Sequence, residues 1–358
     1  MKYIRCLYHN LKFFYLNIFT GVKRYKKVRS LSLKDRDIVL FYLPPCEVVS
    51  GGILSIYFLI ENTQRLFPDF IVLPVVMSRI QHYFKATWFK NNYFIYNILD
   101  IKSKLFTAKT ILVHIPEDFF LSFSKDIEKY FSSDQVSKLK INILNQNQML
   151  APSGDEILTH KHKYASLSMT LAFEKNMSNS YPYLDTPPYL LSSWFYGNEV
   201  ELIPYEQKEN VCIISHDTHP MKKQIVDVIE NKIGLECIEI RNMKFDDFKA
   251  LQRKAKWSVT FGEGFDGYSG AAYIKGGIGF GVYDPNFFPD SMKKELPKSF
   301  FISYEDMLEN ICDVITYMDE KSRYEEFVKR MQAIVLSYNS PEFVSRNLYE
   351  FYNNEFYD

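Results

Sequence analysis

From residue 37 onward, short apolar runs alternate with longer stretches in which apolar positions recur every three or four residues. The runs at residues 37–43, 70–76, 93–96, 110–115 and 140–144 are rich in β-branched and aromatic side chains, the pattern of strands buried on both faces. Between the first two, Ser50-Gly51-Gly52 precedes an apolar stretch from Ile53 to Ile60 followed by Glu61 and Arg65, which predicts a helix opened by glycines. Strand, glycine turn and helix in this order predict a parallel sheet covered by helices.

The alternation pauses at Pro182, Pro187, Pro188 and Pro204, then restarts. Residues 210–215 predict a strand, 216–223 a turn and 224–230 a helix. A strand at 235–240, a helix at 245–254 and a strand at 257–261 follow, then a short helix at 271–275, the pair Gly276-Gly277 and a strand at 278–283. The segment from Ser303 to Phe356 is predicted to be helical. The expected fold class is therefore α/β with two Rossmann-like domains, residues 37–205 and 206–340. An arm of residues 1–36 precedes them and a helical tail of residues 341–358 follows.

Composition narrows the function classes. The 358 residues are 47% hydrophobic and 16% aromatic, enough for two cores. Lys plus Arg and Asp plus Glu are equal at 43 each, so no global field draws the chain to nucleic acid. The arm differs, with ten basic residues up to Arg36 against the single acid Asp35, set among Phe13, Phe14, Leu16, Ile18 and Phe19. Its apolar part is too short to span a bilayer and lacks the layout of a cleaved signal. A cytoplasmic protein is expected, with peripheral contact between the arm and the inner membrane face. The five cysteines, Cys6, Cys46, Cys212, Cys237 and Cys312, are widely spaced and predict free thiols rather than a disulfide framework.

Candidate chemistry concentrates between Thr260 and Asp284. There a strand runs into Gly262-Glu263-Gly264-Phe265-Asp266-Gly267-Tyr268-Ser269, then a helix, then Gly276-Gly277. Closely spaced glycines at a strand's carboxyl end let backbone N–H groups approach a diphosphate. From about Phe261 to Tyr283 the sequence resembles the retaining GT-B glycosyltransferases found in capsule and lipopolysaccharide gene clusters, which have two Rossmann-like domains with parallel sheets facing a central cleft. The resemblance implies an enzyme that moves a sugar from a nucleotide-sugar donor to a glycan or lipid-linked glycan acceptor, with no further cofactor and no metal. It implies that Glu263 meets the donor sugar, with Gly262, Gly264, Asp266, Tyr268 and Ser269 around the donor. A second glutamate of that family, which meets the nucleotide ribose, falls at position 271, and this chain has Ala271 there. Asp266 or Tyr268 is the expected substitute.

Gly51 and Gly52 match a cleft-facing turn of the same family, and Lys222 or Lys223 stands where it places a cation against the diphosphate. A lysine there would neutralise leaving-group charge. His114, at the end of a predicted strand, is a candidate for sugar hydroxyls and is counted with Glu263 as catalytic. Asn145 and Asn147 offer amides to an acceptor. The pairs His160/His162 and His216/His219 lack the further ligands of a zinc site. Two alternatives stay open: a non-catalytic partner of another transferase, in keeping with Ala271, and a sugar-nucleotide epimerase, which would require acid–base carboxylates in the cleft.

Overall fold

The computed structural model describes residues 25–44, 51–77, 93–191, 200–241 and 243–357. Most of the basic arm, up to residue 24, and Ser50 lie outside them.

Two parallel sheets organise the chain. The first has the order β3-β2-β1-β4-β5-β6-β7 and the second β12-β11-β10-β8-β9. In the first, β1 (Asp37–Tyr42), β2 (Ile71–Val76), β4 (Thr110–Pro116) and β5 (Leu139–Asn145) carry the predicted apolar runs, and β3 is reduced to Tyr96–Asn97. Ile38, Val39, Leu40 and Phe41 of β1 are all buried, as expected where helices cover both faces. Two strands of this sheet escaped the sequence reading, β6 (Ser166–Leu171) and β7 (Tyr189–Leu190), as did β12 (Phe300–Phe301) of the second. Ser168 and Thr170 of β6 are buried polar residues, so hydroxyls stand where an apolar run would have marked the strand.

The second sheet consists of β8 (Glu209–Ile214), β9 (Glu236–Glu239), β10 (Ala255–Val259), β11 (Ile278–Val282) and the two-residue β12 (Phe300–Phe301). The sheets are thus separated by the chain between Leu190 and Glu209. Three helices end the chain, Tyr304–Met318, Lys321–Asn339 and Pro341–Phe356. The last is opened by Ser340, whose Oγ accepts from Phe343 N at 3.0 Å, with Pro341 in the first turn, where its missing N–H costs nothing.

This final helix returns to the first domain. Tyr352 Oη lies 2.8 Å from His114 Nε2 and 3.1 Å from Thr63 Oγ1, and its ring packs against Phe67 and Phe70. One apolar cluster consequently runs from Phe41 and Leu112 of the first sheet through Leu348 and Phe351 to Trp257 and Phe280 of the second. Among the described residues, no helix is long and apolar enough to cross a membrane.

Strand order in each sheet reverses at one point, beside β1 and β4 in the first and beside β8 and β10 in the second. Ligands of open α/β sheets bind outside the carboxyl ends of strands at such points. Four loops are thereby singled out, those that follow β1, β4, β8 and β10, the first of which lies mostly outside the described residues.

Candidate functional site

In the second domain, the turn after β10 is fixed by its own polar groups. Asp266 accepts from Tyr268 N at 2.8 Å and Ser269 N at 3.1 Å, and its second oxygen is hydrogen-bonded to Thr260 Oγ1. Ser269 Oγ donates to Gly264 O at 2.7 Å. Gly264 has φ +77°, and a Cβ there would lie 2.0 Å from Val282 O. The turn rests directly on β11, where a Cβ on Gly281 would come 2.5 Å from Gly264 O. The glycine-rich spelling of this segment is thus a packing requirement.

This scaffold presents Glu263. Its carboxylate reaches solvent and has no hydrogen bond or ion pair with any described residue, yet protein surrounds it closely enough to raise its pKa to about 7. Desolvation is the main cause, joined by the like charges of Asp266, Asp217, Asp284 and Glu117. A carboxyl group near half-protonation at neutral pH can donate or accept a hydrogen bond, which is the property expected of a catalytic or sugar-binding acid.

Glu117 belongs to the first domain, at the end of β4, so its charge reaches Glu263 across the cleft. It is buried, accepts from Asn147 N at 2.8 Å, and has its pKa raised by burial against the pull of backbone N–H groups. Sequence reasoning passed over Glu117 in favour of His114, three positions earlier. Its only signal was its place directly after a strand that borders the switch point.

His114 does not line the cleft. It is 1% exposed, stacked on Phe41 at 4.5 Å, with Nδ1 2.8 Å from Asn142 Nδ2 and Nε2 bound to Tyr352. Burial lowers its pKa to about 3, so it is a neutral core histidine with both nitrogens engaged. The expectation of a sugar-binding histidine is corrected accordingly. Asn147 spends its side chain on Met149 N at 3.0 Å, capping its own loop. Asn145 is buried, and its Oδ1 has no partner among the described residues.

Lys222 and Lys223 border an open pocket of about 390 Å³ between the helix Lys222–Val228 and β9, together with Thr218, His219, Cys237, Glu239 and Arg241. Lys222 Nζ donates to Ser215 O at 2.7 Å, Asp217 O at 3.0 Å and Glu239 Oε1 at 2.8 Å, which uses all three of its protons. It holds the carboxyl ends of β8 and β9 together. Lys223 is 83% exposed and paired with Asp227. Behind the pocket, Tyr304 stacks on His219 at 3.6 Å and on Phe261 at 5.8 Å. At the opposite rim, Lys175 of the first domain donates to Pro285 O of the second, and Phe173 meets Phe287 at 6.1 Å.

The same two-sheet arrangement occurs in solved structures. An α-glucosyltransferase in complex with UDP superposes with a TM-score of 0.56 at 7% identity, covering 88% of this chain and 99% of that one. The fold is GT-B. Sucrose-phosphate synthase from Thermosynechococcus elongatus matches with a TM-score of 0.55 at 7% identity, covering 90% of this chain and 99% of the other. The S. aureus MnaA–UDP complex matches at 0.52 and 9% identity, covering 89% and 96%. No family model matches the sequence, and no match is found among curated proteins.

Ala271, where the sequence resemblance would place a ribose-binding glutamate, sits 2% exposed in the buried helix Ser269–Ile274. Asp266 and Ser269 are committed to the turn. Tyr268 packs on Phe248, and burial pushes its phenol to about 12. Gly51 opens the helix Gly51–Leu66 at the carboxyl end of β1, with no atom within 4 Å of where its Cβ would be. Gly52 follows it within the same helix.

Proposed function

We propose that this chain is a glycosyltransferase that takes a nucleotide sugar into the cleft between its sheets. The observation that carries the reading is Glu263, a carboxylate without a partner among the described residues, with a pKa near 7, on a rigid glycine turn at a switch point of a GT-B fold. Glu263 is assigned to the donor sugar, where it accepts hydrogen bonds from ring hydroxyls and stabilises positive charge at the anomeric carbon as the bond to phosphate breaks.

The nucleotide belongs in the pocket lined by Lys223 and Arg241, whose cations suit a diphosphate, with Lys222 holding the strand ends that shape it. Glu239 ends the second strand of its domain, the place where Rossmann folds present an acid to ribose hydroxyls. It lines the pocket and is oriented by Lys222 and by Arg241 at 3.1 Å. Glu239 thus takes the part that the family gives to a glutamate at the position of Ala271.

Retention of anomeric configuration follows from the resemblance in the turn. The acceptor oxygen bonds to the anomeric carbon on the face the phosphate leaves, and the acceptor's proton passes to the departing diphosphate. A surface glycan, of capsule or lipopolysaccharide type, is the proposed product, made at the inner face of the membrane.

A second reading rests on Glu117. Two carboxyl groups with raised pKa values on opposite sides of the cleft are what an epimerase needs to remove and return a proton. Incubation with a panel of nucleotide sugars, with and without glycan acceptors, separates the readings. Product that requires acceptor supports transfer, donor isomerisation without acceptor supports epimerisation, and a chain that binds none of the panel refutes both.

A further inference from the structure

The pocket assigned to the nucleotide has one thiol, Cys237, in its wall, and a second, Cys212, on the neighbouring strand. Cys212 of β8 and Cys237 of β9 are register partners on adjacent parallel strands. Neighbouring strands run about 4.7–4.9 Å apart, within the Cα separation of roughly 4.4–6.8 Å that a disulfide accepts. Both side chains point to one face. Cys212 lies in the apolar cluster with Ile214, Ile225 and Ile229, and Cys237 packs against that cluster, whereas Val211, Ile213, Ile238 and Ile240 form the separate core on the other face.

The Cys237 side chain is close enough to be the main influence on the Cys212 thiol, while Cys212 Sγ donates to Ile213 O at 3.9 Å. Cys212 is fully buried, but Cys237 is partly exposed and reaches the pocket, two residues before Glu239 on the same face of the strand. Among the described residues β9 is the edge strand of its sheet, beside β8.

We propose that Cys212 and Cys237 are a reversible dithiol–disulfide pair that controls the shape of this pocket. The oxidant is a small disulfide of the glutathione class, which the open pocket admits. Cys237, as thiolate, attacks one sulfur of the oxidant, whose S–S bond breaks. A mixed disulfide on Cys237 forms and one glutathione thiolate leaves. Cys212 then gives up its proton to solvent and attacks the Cys237 sulfur, expelling the second glutathione. The protein loses two hydrogens, and one oxidised glutathione becomes two reduced molecules.

The neighbouring Cys237 thiol, together with burial, holds the Cys212 thiol pKa high, so its attack is the slow step and quickens as pH rises. Bond formation brings the sulfurs to about 2.05 Å and draws the edge strand inward. That motion shifts Glu239, two residues along β9, relative to Lys222 and Arg241 and so changes the pocket wall. The bond itself is independent of any function, whereas its effect on ligand rests on the nucleotide reading above.

The test uses the full chain in reduced and oxidised glutathione buffers. Trypsin releases residues 209–222 and 233–241 as separate peptides, each with one of the two cysteines. The expected results are a linked 209–222/233–241 peptide after oxidation, its disappearance with dithiothreitol, and a UDP affinity roughly tenfold lower in the linked form. Cys237→Ser is expected to abolish the link and to make UDP affinity indifferent to the buffer. Absence of the linked peptide from folded, fully oxidised chain overturns the proposal, and a link that leaves UDP affinity unchanged overturns the control of the pocket. A link in a chain that binds no nucleotide in either state supports the thiol pair and refutes the nucleotide reading.

Discussion

Tyr352 Oη lies 2.8 Å from His114 Nε2, a hydrogen bond between residues 238 positions apart that ties the last helix to the centre of the first sheet. Tyr352→Phe removes it together with the contact to Thr63 and leaves buried polar groups unpaired. The expected loss is about 1–3 kcal/mol of unfolding free energy, read from urea denaturation, with nucleotide binding retained below the transition.

The same histidine gives a pH dependence. Its folded pKa of about 3 lies below the ordinary histidine value of 6.5, so the unfolded chain binds the extra proton between those values. Stability is expected to rise with pH through that window and to fall as acid is added below about 6.5. His114→Asn should flatten the dependence in thermal melts at pH 5 and pH 7.5, at the cost of a lower melting temperature at both.

Glu263→Gln is expected to reduce transfer by about 10²–10⁴-fold. Its folded pKa of about 7 is above the ordinary glutamate value of 4.5, so the folded state holds a proton that the unfolded state releases in between. Ionised Glu263 therefore destabilises the native state progressively from pH 4.5 to 7. The glutamine variant should melt higher than the parent at pH 8 and with it at pH 4. Unchanged turnover with a donor that the parent uses would remove Glu263 from the site.

Two glycines are expected to behave differently. Gly264→Ala forces a left-handed alanine, at a cost of roughly 1–2 kcal/mol, and drives a methyl group onto Val282 O, so a large fall in melting temperature is expected. Gly51→Ala meets open space, and its melting temperature should stay close to that of the parent. A drop in donor affinity at unchanged stability would place Gly51 at the ligand.

Glu239→Gln keeps the side chain's size but weakens its hold on Lys222 and on ribose hydroxyls. Affinity for UDP, measured by calorimetry, is expected to fall roughly tenfold, the scale of one charge-assisted hydrogen bond. An unaltered affinity would move the ribose elsewhere in the cleft.

Deletion of residues 1–30 tests the membrane expectation for the basic arm. Basic residues near an anionic leaflet contribute about 1 kcal/mol each, so the full chain should sediment with anionic vesicles at low salt and release at high salt. The shortened chain should remain in the supernatant. Equal behaviour of the two would make the arm structural.

The two-sheet fold was legible in the sequence because a parallel strand covered on both faces must be apolar at consecutive positions, as Ile38 to Phe41 and Ile111 to Val113 are. The turn around Glu263 was legible for a related reason, since glycine at positions 264 and 281 is demanded by close backbone approach. Tertiary structure decided what one-dimensional patterns do not carry. Strand order placed four loops at the switch points, and a helix more than 200 residues away in sequence closed over His114 and made it a core residue. Glu117 became the acid of the first domain only when the sheets were brought face to face, because desolvation and like charge are properties of a neighbourhood in space. Lys222 was spent on three acceptors from two strands and Ala271 was buried in a packed helix for the same reason: partners distant in sequence decide which polar groups are left free to meet a ligand.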